Sequence, residues 1–193
     1  GAPLRVVVPG FIGARSVKWL KQITVQATES MNFYQQRDYK LFQPQVNWET
    51  VGPLWDSASA IQEMNVQGVI CAAQPLVSSP SHDTSDEGRG GGVSYRVEGY
   101  AISGGGRRIE RVDLSSDGGV SWMPTELTQP HRYGWCLWRA SVRVLPRELP
   151  CRLTVRAYDV SGNCQPERVA PIWNLRGVLN NAWHHKDLQP ARL

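Results

Sequence analysis

The sequence predicts a mainly β protein, an immunoglobulin-like β-sandwich preceded by a shorter irregular segment. Three observations carry this. After about residue 58 the apolar residues alternate with polar ones in short runs, the period-2 signature of half-buried strands. Turn residues, above all Asp117-Gly118-Gly119, separate those runs. No stretch in this half keeps a helical period for long enough to compete. Six or seven short strands of this kind describe a two-sheet sandwich.

The elements follow in order. Leu4–Val8 reads as a strand closed by Pro9-Gly10, and 18–25 as a second. A short helix is expected over 28–35, capped by Thr28 or Ser30. The stretch 37–56 is irregular and rich in aromatics, so it either wraps a neighbour or carries a site. The division is placed at 57/58, giving units 1–57 and 58–193. In the second unit, strands are expected at 67–73, at 95–102 with Tyr95, Val97, Gly99 and Ala101 on one face, and at 109–116 with Val112 and Leu114 inward and Arg111 and Asp113 outward. A return strand follows at 120–127. The run 135–144 changes phase near Leu137-Trp138, which predicts a bulge. A strand at 151–158 buries Leu153, Val155 and Ala157, and a last one runs over 181–186. Residues 78–92 are low in complexity and predict a surface loop.

Composition removes several function classes. In 193 residues the net charge is +4, and the 21 basic side chains are scattered rather than gathered in a patch, which argues against nucleic acid. No run approaches the ~20 apolar residues of a membrane span. Cys71, Cys136, Cys151 and Cys164 lack paired spacing, so neither a zinc site nor a disulfide scaffold is expected. His184 and His185, neighbours on a strand, point to opposite faces and cannot share a metal; no protein-built metal site is expected. Hydrolase, metalloprotease and phosphate-loop motifs are missing. Ser103-Gly104-Gly105-Gly106 lacks a following helix and reads as a wide hairpin connection. The chain opens on Gly1 and runs at once into an apolar segment, and the expectation is a piece of something longer.

Three groups of residues invite chemistry. Arg5, Arg15 and Lys18 are donors close in sequence and suit an anion, although ordinary surface charge explains the spacing better. Tyr39 lies in the irregular stretch, where its phenol serves a site or anchors the loop. Arg176 sits in an apolar segment, Trp173-Asn174-Leu175-Arg176-Gly177-Val178-Leu179. A partly buried guanidinium requires an anion, either a ligand or an internal carboxylate.

Taken together, these segments resemble the sulfite oxidase family of molybdenum enzymes. The resemblance rests on Gly1–Gly10, on 13–20 (Gly-Ala-Arg-Ser-Val-Lys-Trp-Leu), on Asp38-Tyr39-Lys40 and on Val46-Asn47-Trp48. It continues through Gly99-Tyr100-Ala101, Ser103–Gly106, Asp117-Gly118-Gly119 with Trp122, Gln165-Pro166-Glu167 and Trp173–Asn180. It implies that 1–57 is the C-terminal part of an α+β molybdopterin-binding domain and that 58–193 is an immunoglobulin-like dimerisation domain. Arg5 matches the family's cofactor arginine, and Ser16, Val17 and Lys18 match its second cofactor-contacting run. Tyr39 matches the active-site tyrosine, and Arg176 an arginine of the substrate's anion pocket. The implied cofactor is Mo-molybdopterin, and the reaction is sulfite plus water to sulfate with release of two electrons. Animal members commonly carry His at the position of Ser16, so Ser resembles the plant branch. The metal-ligating cysteine of the family lies upstream and none of the four cysteines here matches it, so this piece alone is expected to be inactive. The insert at 78–92 and the tail after Trp183 depart from the family pattern. Nitrate reductase shares the layout but typically lacks the arginine of Asn174-Leu175-Arg176-Gly177. A pure dimerisation module is the non-enzymatic alternative. A homodimer with sulfite as substrate is implied, without nucleic acid or membrane. The ending Ala191-Arg192-Leu193 resembles a peroxisomal address, the alternative being the mitochondrial intermembrane space.

Overall fold

The computed structural model describes residues 1–76 and 92–189. Eight strands form two antiparallel sheets. They are β1 (Gln67–Pro75), β2 (Val93–Ile102), β3 (Ile109–Ser115), β4 (Met123–Pro124), β5 (Glu126–Thr128), β6 (Cys136–Val144), β7 (Cys151–Asp159) and β8 (His184–Leu188). One sheet runs β1-β2-β6-β5 and the other β4-β3-β7-β8. The mainly β expectation holds. Residues 78–91 of the low-complexity insert and the tail from 190 lie outside the described residues.

Alternate residues of both sheets meet in one core. Val97, Ala101, Cys136, Trp138, Val142 and Val144 come from the first sheet; Val112, Leu114, Leu153, Val155, Ala157 and Leu188 come from the second. Gly99 faces inward as expected, and the reason is spatial. It pairs with Trp138 across β2 and β6, and a Cβ on it would lie 2.5 Å from the indole ring and 1.9 Å from the Val69 carbonyl oxygen.

Several expectations are corrected. β6 alternates without a phase change, and its register with β2 is continuous from Val93↔Val144 to Ala101↔Cys136. Leu137 beside Trp138 mimics a bulge because Leu137 is a large apolar residue on the outer face, 58% exposed. The register shifts lie at Ile70/Ala72 and Ile109/Arg111 instead. The Asp117 turn forms, with Gly118 and Gly119 at φ 75° and 105°. Its carboxylate accepts from the Ser121 hydroxyl and N–H, the Ser115 hydroxyl and the Val120 N–H, which hold it well below the usual carboxylate range. The return strand, however, splits: β4 pairs with β3, whereas β5 crosses to pair with β6 in the other sheet. Pro124, opposite Asp113, has no N–H with which to extend the ladder. Asp113 lies on the outer face as expected but is buried there, because Arg156 and Arg111 pair with it at 3.1 and 3.2 Å and Trp122 covers Arg156 at 3.9 Å. The last strand starts late, since the Gln165 amide and the Pro166 carbonyl bind the main chain of 181–183.

The N-terminal pair of strands is reduced to a single bridge, Arg5↔Lys18. Over 21–28 the side-chain bonds are local, Gln22 to Thr24 and Gln26 to Thr28. The short helix α1 covers Phe33–Gln36, and its cap is Asn32, whose Oδ1 accepts from Tyr34 N at 2.9 Å. Ser103–Gly106 is an arch from one sheet to the other rather than a hairpin. It is also a docking seam: Gly10 O accepts from Gly105 N at 3.3 Å and from Met64 N at 3.1 Å, and a Cβ on Gly104 would lie 2.2 Å from Met64 O.

Candidate functional site

The first cluster is built by the N-terminal bridge. Val6 N donates to Val17 O at 3.0 Å and Leu20 N to Leu4 O at 3.1 Å. These bonds flank the Arg5–Lys18 pair instead of joining it, which is the narrow antiparallel arrangement with side chains closest, about 4.5 Å between Cα atoms. Both side chains therefore stand together on one exposed face. Arg5 Nε is used on Ser16 O at 3.0 Å, and Ser16 Oγ accepts from Val8 N at 3.3 Å. Among the described residues neither Arg5 nor Lys18 forms an ion pair, so two like charges face each other without a carboxylate. An anionic ligand suits that arrangement.

The second cluster joins the two ends of the chain. Asp38 is 16% exposed and Arg176 is 29% exposed at the side chain; Asp38 Oδ1 pairs with Arg176 Nη2 and also accepts from Tyr39 N at 3.0 Å. The anion that Arg176 requires is thus an internal carboxylate, and it lies beside Tyr39. Asn174, 4% exposed, aims the arginine. Its Oδ1 accepts from Arg176 N and Val178 N, both at 3.2 Å, and its amide donates to Val178 O at 2.9 Å. Gly177 closes the turn at φ 62°. The guanidinium lies 6.0 Å from the Trp48 ring.

Tyr39 has φ 50°, a left-handed conformation that non-glycine residues rarely adopt. Its phenol makes no hydrogen bond among the described residues. The neighbouring Lys40 is 4% exposed, and its Nζ donates to Trp55 O at 2.6 Å.

The structure therefore brings Tyr39 and Arg176 to one carboxylate, and gathers Arg5, Ser16, Val17 and Lys18 around one bridge. No hydrogen bond or ion pair joins the two clusters among the described residues. Arg15 leaves the first of them: it binds the carbonyls of Ile61 and Tyr34. Sequence reasoning missed Asp38 as a member of the site. The signal was present in the demand of Arg176 for an anion, but which of 17 acidic residues would meet it is a question of tertiary structure.

Residues 58–190 match the Mo-co oxidoreductase dimerisation domain. The chain belongs to that family. Residues 1–34 match the oxidoreductase molybdopterin binding domain. Mitochondrial sulfite oxidase of Drosophila melanogaster is 46% identical over 192 residues, covering 95% of this chain and 32% of its own length. Sulfite oxidase of Arabidopsis thaliana is 42% identical over 196 residues, covering 95% of this chain and 46% of its own. The chain thus spans less than half the length of either relative. In structure it is similar to the sulfane dehydrogenase SoxCD of Paracoccus pantotrophus, with a TM-score of 0.70 over 98% of this chain and 44% of that one, at 23% identity. That likeness supports the two-sheet fold.

Proposed function

We propose that this chain is the closing part of a molybdenum-dependent sulfite oxidase. Residues 1–57 would complete a molybdopterin-binding domain and 58–193 would form the dimerisation domain, with the substrate pocket where the two meet. The observation that carries the reading is the carboxylate of Asp38, which holds Arg176 from one unit against the main chain of Tyr39 from the other.

When bound, Mo-molybdopterin supplies oxygen-atom transfer and takes up the two electrons released. The paired cations fit such a group, since they face one way and have no carboxylate between them. Arg5 and Lys18 would hold its phosphate, while Ser16 and Val17 set the register that puts them opposite each other. Sulfite is a compact oxyanion. Arg176 Nε and Nη1 have no partner among the described residues, so the planar fork is able to bind an oxyanion while Nη2 stays on Asp38. The Tyr39 hydroxyl is available to donate to the substrate and to hold a proton there. Steady-state sulfite oxidation by the whole protein tests the reading. Arg176→Gln should raise the KM for sulfite and lower kcat/KM about ten- to a hundredfold, the worth of a charged hydrogen bond. An unchanged kcat/KM removes Arg176 from the site.

A homodimer is supported by the family, and the outer face of the first sheet is the surface proposed for it. There Tyr100, Trp135 and Leu137 line a groove of about 550 Å3 together with Glu126 and Arg139. Apolar side chains mixed with both charges suit an isologous contact with a second copy. For location, the proposal is the peroxisome, on Ala191-Arg192-Leu193, which lie outside the described residues; the Drosophila relative's name, mitochondrial, favours the alternative. A fluorescent reporter ending in the last five residues decides, and a diffuse signal removes the address.

A further inference from the structure

Arg15 is partly buried, and its guanidinium makes three hydrogen bonds, all to main-chain carbonyls. Nε and Nη2 bind Ile61 O at 2.9 and 2.7 Å, and Nη1 binds Tyr34 O at 3.3 Å. Among the described residues no carboxylate pairs with it. Burial lowers its pKa, against the opposing pull of Tyr39 and Glu29. A partly buried cation whose hydrogen bonds all go to carbonyls holds a geometry that needs an account.

That geometry leads to Tyr39. The peptide nitrogen of Ile61, the residue whose carbonyl Arg15 grips, donates to Tyr39 O at 2.8 Å. On the next rung Lys40 bridges to Ala60. Tyr39 keeps φ 50° only because its neighbours hold it: Asp38 takes its N–H and Ile61 takes its carbonyl. Arg15 fixes the second of these partners. It also ends the turn Gly13–Arg15, directly before the run Ser16–Lys18.

We propose that Arg15 is a positioning residue, which through Ile61 holds Tyr39 in register with the cofactor-binding run. The inference rests on the assignment of Tyr39 to the reaction. Arg15 touches neither substrate nor cofactor; its effect passes through the placement of the phenol, so it acts on kcat and leaves the KM set by Arg176 nearly unchanged.

The test compares Arg15→Gln, Arg15→Lys, Tyr39→Phe and the Arg15→Gln/Tyr39→Phe pair in the whole, cofactor-loaded protein, with hydrogen exchange measured on the cofactor-free form. Arg15→Gln should lower kcat about ten- to a hundredfold, with KM within about threefold. Arg15→Lys, which keeps the charge and loses the fork, should recover part of that loss. In the Tyr39→Phe background, Arg15→Gln should cost less than about threefold. Without cofactor, the Ile61 amide should exchange at least about tenfold faster in Arg15→Gln, while the Val155 amide in the core is unchanged. The proposal is overturned if Tyr39→Phe is impaired and the Arg15→Gln loss simply multiplies it, or if the Ile61 amide keeps its protection. If Tyr39→Phe alone leaves kcat unchanged, the reading of Tyr39 fails, and with it any role for Arg15 in placing it.

Discussion

Asp38→Asn isolates the ion pair at the centre of the proposed site. The amide keeps an oxygen that can accept from Tyr39 N, now at 3.0 Å from Asp38 Oδ1, and removes only the charge that holds Arg176. With side-chain exposures of 16% and 29%, the pair lies between a surface pair, worth ~0.2–1 kcal/mol, and a buried one, whose disruption costs ~3–5 kcal/mol. A second argument gives a figure. An arginine released from its partner regains rotamer freedom of up to ~2 kcal/mol, which sulfite binding must then take away again. Both considerations give about 1.5–2 kcal/mol, or roughly ten- to thirtyfold in kcat/KM. Removing a negative charge near the pocket works the other way, but that charge is already committed to Arg176. The assay is a double-mutant cycle on sulfite oxidation by the whole protein. If Asp38 acts by orienting Arg176, Asp38→Asn should cost less than about threefold once Arg176 is Gln. Equal losses in both backgrounds would refute the orienting role.

Two further predictions concern the frame. Gly99→Ala should destabilise the sandwich by about 1–3 kcal/mol or more, because the added Cβ meets the Trp138 ring and the Val69 carbonyl, whereas Gly52→Ala, with nothing within 4 Å, should be near neutral; chemical denaturation midpoints compare them. Leu137→Glu, on the outer face of β6 at 58% exposure, should leave the fold intact and convert a dimer to monomer in sedimentation at micromolar concentration; a dimer that persists moves the interface elsewhere.

What the sequence disclosed follows from the range of the forces involved. Alternation exposed the central strands because burial on one face imposes it locally: Leu153, Val155 and Ala157 are all fully buried. The edges were less legible. β4 and β5 are three residues or fewer and belong to different sheets, which no local pattern encodes. The burial of Asp113 was not legible because the outer face of its sheet is roofed by Trp122 and Trp183, whose rings meet edge to face at 4.9 Å. The N-terminal runs have strand-like composition but find one bridge only, since pairing requires a partner as well as propensity. Tyr39 and Arg176 were singled out by chemistry and resemblance, while Asp38, Asn174 and Arg15 acquire their positions from contacts that span up to 138 residues.

The placement of the site follows from how unequally the two parts of the chain are stabilised. The sandwich has a continuous core, whereas the buried apolar side chains of the N-terminal segment are Phe42, Val46 and Val51, a small cluster packed by Leu54 and Trp55 and by Ala58 and Leu175 of the second unit. Val7, Trp19, Ile23, Val25 and Met31 are between 73% and 95% exposed. On the proposed function, these form the face that the rest of the molybdopterin domain covers. Until it does, the segment takes its conformation from the sandwich: Gly10 on Gly105, Arg15 on Ile61, Asp38 on Arg176. Two of those three contacts are also the ones that place Tyr39 and Arg176. A site built on a seam in this way is sensitive to how the two units dock, because a small displacement moves Arg176 relative to Tyr39 before it disturbs either hydrophobic core. On the proposed function the dimerisation domain then does more than associate copies: by supplying Arg176 to Asp38 and Ile61 to Tyr39, it sets the geometry of the pocket it closes.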